Sequence, residues 1–327
     1  MSEYLERAVE LAERGRGTTR PNPLVGAVVV SDGEVVGEGW HERAGGPHAE
    51  IVALAAAGDR ARGSTLYVTL EPCAHHGRTP PCADAVIEAG VARVVVGALD
   101  PDPRTNGRGI ERIRSAAIDV ELAGSELERR ARRQNEAFRT WAAKGRPFVT
   151  YKAAMTIDGR LAASSGDARW VSGEESRRLV HELRAASDAI AVGMGTVRAE
   201  NPRLTARNVA AERQPRRLAF GHGPLPSGSE LELRQGSLKE ELARLAAEEV
   251  QSLLLEGGPT LAGAFLRAGF LDKLLLFVAP KLVGGDDAPP LFAGAGVERM
   301  ADAIRLTGLE AEPVGEDLLL TAYVHEP

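Results

Sequence analysis

The spacing of apolar and polar positions in the first 145 residues alternates between the period of a strand and that of a helix. Apolar runs at residues 25–30 and 35–40 flank Asp32 and Gly33, and an Asp-Gly turn between two such runs predicts a β-hairpin. Further strands are expected at residues 65–70, 93–98 and 120–122, and helices at residues 1–15, 48–57, 81–89 and 109–117. Strands separated by helices indicate a largely parallel sheet with helices on its faces.

The next segment, residues 125–143, has the polar pattern of one long helix. It contains a basic cluster of Arg129, Arg130, Arg132 and Arg133. Such a cluster is one feature of nucleic-acid-binding surfaces, but Glu126, Glu128 and Glu136 are interspersed with it. Mixed charges on one helix are typical of a face exposed to solvent, and we expect that simpler role here.

A domain boundary is predicted at residues 144–147, where Gly145 ends the helix and Pro147 begins an extended segment. The chain then divides into residues 1–145 and 146–327. In the second part strands are expected at residues 148–154, 189–192, 218–220, 250–255 and 273–278, and helices at residues 173–185, 237–249 and 260–269. Residues 304–325 have the pattern of two closing strands. Both parts are therefore expected to be α/β domains.

Composition and charge limit the classes of partner. Of the 327 residues, 43% are hydrophobic and 26% are charged, which is ordinary for a globular protein, and the net charge of -6 gives no general attraction to nucleic acid. No apolar run is long enough to span a bilayer, and the N-terminal helix lacks the apolar stretch of a secretory signal. We expect a cytoplasmic protein that binds a small molecule and neither nucleic acid nor membrane.

The chain has two cysteines, Cys73 and Cys82, which are too few and too close for a disulfide framework. In a reducing compartment such a pair more often binds a metal or acts in redox chemistry. His48 begins a predicted helix, Cys73 follows a predicted strand, and Cys82 begins the next helix. One imidazole and two thiolates suit a tetrahedral zinc ion whose fourth position holds water. Zinc lowers the pKa of that water from about 16 toward 7.

Glu50 follows His48 by two residues, so on a helix the two side chains do not share a face. Glu50 can then lie beside the metal without binding it, and we predict that it moves a proton from water to a leaving amine. A purely structural zinc site is the alternative, but such a site normally has four protein ligands. His75 and His76, between the cysteines, are expected to line the pocket or face solvent.

The order His-x-Glu, Pro-Cys, Cys resembles the cytidine-deaminase-like zinc enzymes. Eight residues separate Cys73 from Cys82, whereas nucleic-acid deaminases have two; the acidic balance and the 4% aromatic content also argue against an enzyme of that kind. The longer segment, Glu-Pro-Cys-Ala-His-His-Gly-Arg-Thr-Pro-Pro-Cys at residues 71–82, is similar to the bifunctional deaminase–reductases of riboflavin biosynthesis. Pro-Asn-Pro-Leu-Val-Gly at residues 21–26 and Asp-Pro-Asp-Pro at residues 100–103 extend this resemblance, which covers nearly the whole chain.

That resemblance implies a fold, two activities and two cofactors. An N-terminal cytidine-deaminase-like three-layer domain would precede a dihydrofolate-reductase-like α/β domain. The first would use Zn²⁺ to deaminate a phosphoribosylated diaminopyrimidinone, and the second would use NADPH to reduce the ribosyl group to a ribityl chain. Asn22, His41 and Asp100 would bind the pyrimidine ribotide, although such residues also serve simply as turn and loop residues. A homo-oligomer is compatible with the resemblance.

In the second half the resemblance also implies individual site residues. The cofactor-binding residues would be Ala154, Trp170, Thr196, Glu200 and Gly258. The substrate-binding residues would be Lys152, Arg184, Leu204, Arg207 and Glu256. Arg184 and Arg207 are candidates for a phosphate fork, with salt bridges as the alternative. Residues 256–260, Glu-Gly-Gly-Pro-Thr, follow a strand and open a helix, where backbone amides are suited to a phosphate.

Three features of the second half depart from the family pattern. Ala168 stands where a serine that touches substrate is usual, and Glu200 stands where an aspartate near the cofactor is usual. The segment 207–256 is also shorter than expected, by about a strand and a helix. A deletion beside a cofactor cleft would weaken NADPH binding, whereas one on a distant face would not. The alternative function is therefore a monofunctional pyrimidine deaminase with an inactive or repurposed second domain.

Overall fold

The structure is a computed structural model that describes residues 2–75, 80–211 and 213–327. It divides into two compact units, one of Met1–Lys144 with Pro327 and one of Gly145–Glu326. Each unit has its own β-sheet with helices on both faces. Within the described residues, no helix is both long and apolar enough to cross a membrane.

The described residues of the first unit form eleven helices and strands around a five-stranded sheet. They are α1 (Ser2–Glu13), β1 (Gly26–Ser31), β2 (Glu34–Trp40), α2 (Ala49–Ala57), β3 (Thr65–Leu70), α3 (Cys82–Ala89), β4 (Arg93–Ala98), α4 (Arg108–Ser115), β5 (Asp119–Leu122), α5 (Ser125–Gln134) and α6 (Glu136–Lys144). A 3₁₀ turn at Gly58–Ala61 follows α2. The strand order is β2-β1-β3-β4-β5.

The expectation of a largely parallel sheet is wrong for this unit. Strand β1 pairs antiparallel with both β2 and β3, and only the β3–β4 and β4–β5 pairs are parallel. The predicted hairpin at Asp32 and Gly33 is present and reverses the chain before α2. Strand β3 therefore returns antiparallel to β1, although a helix lies between it and the hairpin.

Both faces of this sheet are apolar, which produces three layers. Ala27 and Val29 of β1 face a cluster formed with α2, α3 and α4, whereas Val28 and Val30 face a cluster formed with α1. Because successive side chains of a strand point to opposite faces, one strand packs against helices on both sides. The cytidine-deaminase-like three-layer fold predicted from the resemblance is confirmed.

The prediction of a single long helix at residues 125–143 is wrong, because the helix is interrupted at Asn135, between α5 and α6. Asn135 is buried, and its side chain bonds both the amide and the carbonyl of Leu24, each at 2.8 Å. Asparagine competes with helical backbone in this way. The arginines of α5 do pair with glutamates, as a solvent-exposed face predicts: Arg129 with Glu126, Arg130 with Glu6 and Arg132 with Glu128.

In the second unit, residues 145–211 and 213–326 form twelve helices and strands around an eight-stranded sheet. They are β6 (Phe148–Thr156), α7 (Glu174–Ala186), β7 (Ala189–Gly193), α8 (Met194–Glu200), β8 (Arg216–Phe220), β9 (Glu232–Arg234), α9 (Leu238–Ala247), β10 (Ser252–Leu255), α10 (Pro259–Arg267), β11 (Lys273–Ala279), β12 (Thr307–Val314) and β13 (Asp317–Tyr323), with a 3₁₀ turn at Met300–Asp302. Short elements α8 and β9 were not predicted from the sequence.

The strand order of the second sheet is β12-β13-β11-β6-β10-β7-β8-β9. Within that order, the six strands from β11 to β9 are each parallel to their neighbours. The two closing strands predicted for the tail, β12 and β13, are antiparallel and form one edge of the sheet. Helices α9 and α10 cover one face, and α7 and α8 cover the other. Strands β6, β10 and β7 lie side by side within this sheet, so residues at their carboxyl ends are neighbours.

Candidate functional site

The three predicted metal ligands meet at the start of two helices in the first unit. His48 precedes α2 with an extended backbone (φ -75°, ψ 160°), and Cys82 is the first residue of α3. Cys73 follows the end of β3. His48 Nδ1 lies 3.1 Å from Cys82 Sγ and 3.8 Å from Cys73 Sγ, and the three donor atoms all lie within 4.8 Å of one another.

This donor set fits a zinc ion. Zn–S bonds of about 2.3 Å and Zn–N bonds of about 2.0–2.1 Å at a tetrahedral angle place nitrogen and sulfur about 3.5 Å apart. The two nitrogen–sulfur separations, 3.1 and 3.8 Å, lie on either side of that value. Three protein ligands leave one position for water, which is the arrangement of catalytic rather than structural zinc.

The surroundings of Cys73 favour the thiolate, which is the form that binds a metal. The Cys82 thiol and the His48 ring are hydrogen-bonded to Cys73 Sγ and lower the Cys73 pKa to about 4. The backbone amide of Cys82, at the N-terminus of α3, also donates to that sulfur at 3.3 Å. The same contact with Cys73 raises the pKa of His48. Helix N-termini at the site, which the sequence predicted, therefore supply part of the stabilisation.

Glu50 lies in the first turn of α2 and is buried, with 3% of its surface exposed. Its carboxyl group is hydrogen-bonded to Cys82, so it is beside the three donors without belonging to them. Burial raises the pKa of Glu50 to about 7. A carboxyl group with a pKa near neutrality can both accept and donate a proton at the pH of a cell.

Asn22 and His41 form one wall beside the three donors. Asn22 Nδ2 and His41 Nε2 are 3.0 Å apart, and His41 Nδ1 is 2.9 Å from the carbonyl oxygen of Pro47. The ring of His41 meets that of His48 edge to face, with centroids 5.4 Å apart. Burial lowers the pKa of His41, which favours the neutral ring. The structure thus brings two of the predicted substrate-binding residues next to a predicted ligand.

Asp100 is buried just after the end of β4. Its Oδ1 accepts a hydrogen bond from the amide of Asp102 at 2.8 Å, which is the turn geometry considered as its alternative role. Burial raises the pKa of Asp100 to about 6. A carboxyl group held in a turn and kept partly protonated is still suited to contact a polar ligand.

Glu71 is a residue whose importance the sequence reasoning missed. It is buried, and its two carboxylate oxygens accept hydrogen bonds from the amides of Asp100, Gly107, Gly109 and Ile110 at 3.0–3.3 Å. A Cβ atom at Gly109 would collide with the carbonyl oxygen of Pro72, the residue before Cys73. Glu71 therefore ties the segment carrying Cys73 to the start of α4. An acidic residue directly after a buried strand was the available signal.

His75 and His76 lie between the two cysteines in the sequence. His75 is partly buried, and its Nδ1 is 3.1 Å from Thr105 Oγ1, so it contacts a loop residue rather than the three donors. His76 lies outside the described residues.

In the second unit, charged residues meet at the carboxyl edge of the sheet. Leu255 of β10 pairs in register with Tyr151 of β6 and Ala191 of β7, which places Glu256 close to Lys152. Glu256 is mostly buried and forms a two-point ion pair with Arg184 of α7, with N···O distances of 2.7 and 2.8 Å. Burial lowers the pKa of Lys152, an effect that Glu256 partly opposes.

Arg184 forms the salt bridge that the sequence analysis gave as the alternative to a phosphate fork. Its Nε and Nη2 donate to Glu256, and its Nη1 lies 3.3 Å from the carbonyl oxygen of Thr205. Arg207 is exposed, and its backbone amide donates to His181 Nδ1 at 3.3 Å. Leu204 is buried with a positive φ of 51°, an uncommon conformation for leucine. Lys152, Arg184 and Glu256 therefore form one cluster, and Arg207 and Leu204 lie on the adjoining loop.

The candidate cofactor residues of this unit are only partly brought together. Gly258 precedes α10 without a side-chain cap, and a Cβ there would lie 3.9 Å from Thr196 Oγ1 of α8. No side chain of Gly258 caps the first amides of α10, those after Pro259, and such amides at a helix start are suited to a phosphate. Ala154 lies in β6, and Glu200 is exposed at the end of α8.

Trp170 is 66% exposed and has a positive φ of 64°. The guanidinium of Arg177 lies 4.3 Å from its ring centroid, and Lys281 Nζ donates to its carbonyl oxygen at 2.6 Å. Ala168, one of the departures from the family pattern, belongs to the same exposed segment. Trp170 is therefore held through its backbone, and Arg177 covers one face of its otherwise exposed indole.

Comparison with known proteins identifies both units. The model named "Cytidine and deoxycytidylate deaminase zinc-binding region" matches residues 1–98, and the model named "RibD C-terminal domain" matches residues 147–320. The riboflavin biosynthesis protein RibD of Aquifex aeolicus is 40% identical over 348 residues, covering 97% of this chain and 96% of the relative.

Solved structures agree with these matches. Acinetobacter baumannii RibD, form 1, has a TM-score of 0.86 at 37% identity, with 98% of each chain covered. A diaminohydroxyphosphoribosylaminopyrimidine deaminase/5-amino-6-(5-phosphoribosylamino)uracil reductase from Thermotoga maritima has a TM-score of 0.83 at 34% identity, covering 98% of this chain and 97% of that one. The similarity extends through both units.

Proposed function

Because this chain belongs to the RibD family of bifunctional deaminase–reductases of riboflavin biosynthesis, we propose specific roles for its residues in the two reactions. The first substrate is 2,5-diamino-6-(5-phosphoribosylamino)pyrimidin-4(3H)-one, from which water displaces the ring amine. The second reaction reduces the ribosyl group of the product to a ribityl chain. The observation that carries the proposal is the meeting of His48, Cys73 and Cys82 with the buried Glu50.

In the first reaction His48, Cys73 and Cys82 would hold a zinc ion, whose chemistry when bound would be to make water more acidic at neutral pH. Glu50 accepts one proton from water and delivers it to a ring nitrogen as the water oxygen bonds to the ring carbon. It then takes the remaining proton of the added hydroxyl group and passes it to the amine, and the carbon–nitrogen bond breaks to release ammonia. A pKa of about 7, caused by burial, suits Glu50 to both directions of transfer. The reaction releases ammonia and leaves an oxygen on the ring carbon.

Asn22 and His41 orient the pyrimidine ring against the metal ligands. The neutral His41 is fixed by its contacts with Asn22 and the Pro47 carbonyl group, so its ring orientation does not depend on the substrate. Asp100, held by the Asp102 amide, offers a carboxyl oxygen to the ribotide. These roles agree with the positions of the three side chains, and their variants are expected to alter KM more than kcat.

In the second reaction a nicotinamide cofactor, which we propose to be NADPH, would supply hydride to the anomeric carbon. The bond from that carbon to the ribose ring oxygen breaks, and that oxygen takes up a proton, which gives the open ribityl chain. Gly258 and Thr196 border the amides at the start of α10, where a cofactor phosphate is expected. Lys152 donates a proton to the substrate, because burial lowers its pKa, and Glu256 holds the ammonium group and Arg184 in place. Ala154, Trp170 and Glu200 complete the cofactor site, and Leu204 and Arg207 the substrate site.

We assign the deaminase to residues 1–145 and the reductase to residues 146–327. The monofunctional alternative, with an inactive or repurposed second domain, is less well supported, because the Thermotoga maritima structure, whose name gives both activities, matches both units. The departures at Ala168 and Glu200 fall on exposed positions, and the strand order of the second sheet is continuous through the segment 207–256. A cytoplasmic location and a homo-oligomer stay predictions.

A coupled assay tests this proposal. Purified zinc-loaded protein is given the diaminopyrimidinone ribotide, and ammonia release and NADPH oxidation are followed separately. We expect ammonia first and NADPH oxidation afterwards, because the reductase acts on the deaminated product. Ammonia without NADPH oxidation would support the monofunctional alternative. The absence of ammonia would overturn the assigned substrate or the assigned site.

A further inference from the structure

The break between α5 and α6 places a buried amide side chain against a loop of the deaminase site. Asn135 Oδ1 accepts a hydrogen bond from the Leu24 amide, and Asn135 Nδ2 donates one to the Leu24 carbonyl oxygen, both at 2.8 Å. Asn135 is 4% exposed and Leu24 is 8% exposed. A single side chain thus satisfies both main-chain groups of one buried residue, which leaves that residue little freedom to move.

Residues on both sides of Leu24 in the sequence contact His41. Asn22, two residues earlier, meets the His41 ring at 3.0 Å, and the carbonyl oxygen of Val25, the next residue, accepts a hydrogen bond from the His41 amide at 2.9 Å. The His41 ring in turn packs against His48. Asn135 is therefore connected to a metal ligand through Leu24 and His41.

Helix α6 also reaches the second segment that carries a candidate substrate-binding residue. Arg139 lies one turn after Asn135, and its Nη1 donates to the carbonyl oxygen of Leu99 at 2.7 Å. Leu99 immediately precedes Asp100. Arg139 Nε is buried and has no hydrogen-bond partner among the described residues. Burial lowers the pKa of Arg139 to about 10, so this guanidinium occupies a costly position.

We propose that Asn135 and Arg139 are positioning residues of the deaminase: Asn135 fixes the loop that carries Asn22, and Arg139 fixes the strand end that carries Asp100. One helix thereby holds both substrate-binding segments in place relative to the zinc ligands. The inference rests on the proposed function, since it assigns Asn22 and Asp100 to substrate. It goes beyond that function, because neither Asn135 nor Arg139 contacts the ligand set.

The test compares Asn135→Ala with a matched control on the neighbouring residue. Gln134 donates at 2.8 Å to the carbonyl oxygen of Val9 and to Glu13, so Gln134→Ala also removes side-chain hydrogen bonds within the first unit, but none of them reaches a site loop. We expect Asn135→Ala to raise KM for the ribotide about tenfold or more, because two buried hydrogen bonds are lost. Zinc content and NADPH oxidation of the deaminated product should stay at the wild-type level.

Amide hydrogen exchange gives a second measurement that is independent of activity. In Asn135→Ala, exchange should accelerate at Leu24 and at His41, whose amides depend on this loop, but not in Gln134→Ala. Arg139→Met should raise KM by a smaller factor, since it removes a single hydrogen bond from the Leu99 carbonyl group. Its exchange at Leu24 should match that of the wild type.

The outcomes separate this inference from the proposed function. If KM of Asn135→Ala stays within twofold of the wild type while exchange at Leu24 is unchanged, Asn135 does not position the loop. Equal rises in KM for Asn135→Ala and Gln134→Ala would also overturn the inference, because they would indicate general destabilisation. If the wild type releases no ammonia, the proposed function fails, whereas the exchange comparison still decides whether Asn135 fixes the loop.

Discussion

The two candidate sites are built from different kinds of residue. The first uses rare side chains in short motifs, with His48, Cys73 and Cys82 placed at the ends of neighbouring elements. The second uses Lys152, Arg184 and Glu256, which are common residue types on β6, on α7 and after β10. The first could be identified from residue chemistry alone, whereas the second required a family resemblance.

This difference follows from how each site is specified. Zinc needs ligands of particular softness and number, so the presence of two cysteines and a histidine in order already limits the possibilities. The charged cluster exists only because β6, β10 and β7 are neighbours, an order that differs from their order along the chain. Nothing in the local pattern around Arg184 predicts that Glu256, 72 positions away, will pair with it.

The largest expected effect is the loss of one activity with the other unchanged. Cys82→Ser should lose bound zinc and release no detectable ammonia, because a hydroxyl group is a much poorer zinc ligand than a thiolate. NADPH oxidation with the deaminated product should continue at the wild-type rate. Zinc per chain is measured by atomic absorption, and the two activities are measured separately. A variant that keeps one zinc per chain would show that Cys82 is not a ligand.

Glu50→Gln should lower ammonia release by about 10²–10⁴-fold, because an amide cannot carry the proton between water and the leaving group. Zinc content should not change, which distinguishes this variant from Cys82→Ser. Glu42→Gln is the matched control, since Glu42 is exposed and undergoes the same chemical change. If Glu50→Gln released ammonia within tenfold of the wild-type rate, the proton-transfer role of Glu50 would be contradicted. The contrast between Glu50, which moves protons, and Cys82, which binds zinc, would then be weaker.

Much of the fold could be predicted because local signals agreed with the final structure. The hairpin at Asp32 and Gly33, the apolar strands and the helix starts next to His48 and Cys82 all depend on nearby residues. The direction of β3 and the break at Asn135 do not. Asn135 interrupts a good helical pattern because its side chain bonds Leu24, 111 positions earlier, and no window of local sequence contains both partners.

Contacts between distant parts of the chain also create site residues that local sequence does not reveal. Glu71 acts through the amides of Gly107 and Gly109, and that role becomes visible only when α4 starts beside the end of β3. The choice between a phosphate fork and a salt bridge at Arg184 stayed open for the converse reason, since the sequence could not show that the Glu256 carboxylate lies against its donors. Short elements such as α8, with seven residues including Gly195, give too weak a periodic signal to be predicted.

A change in the charged cluster of the second unit should affect NADPH oxidation and leave ammonia release unchanged. Glu256→Gln leaves Lys152 and Arg184 without a buried anion, so NADPH oxidation should fall by at least about tenfold and unfolding stability by about 2 kcal/mol or more. Ammonia release should be unaffected. The exposed Glu298→Gln serves as the control for stability in thermal unfolding. Equal loss of both activities would show that the two sites are not independent.

The smallest expected effect concerns the loop that supports Trp170. Asp158 accepts hydrogen bonds from Thr156 and from the amides of Val283 and Gly284, and these contacts lower its pKa to about 2. The loop they hold includes Lys281, whose ammonium group donates to the Trp170 carbonyl group. The loop beside the second site thus depends on an exposed carboxylate, whereas the first site includes the buried side chains of Cys82 and Glu50.

The sign of the pH dependence follows from that lowered pKa. A carboxyl group with a pKa of about 2 in the folded protein and about 3.9 in the unfolded chain stabilises the fold above about pH 4, and this stabilisation disappears as the pH falls toward 2. Asp158→Asn removes the titration, so its melting temperature should be slightly below that of the wild type at pH 6 and equal to it near pH 2. Thermal unfolding of both proteins across this range measures the difference. If the difference in melting temperature between the two proteins did not vary with pH, the charge of Asp158 would not contribute to stability.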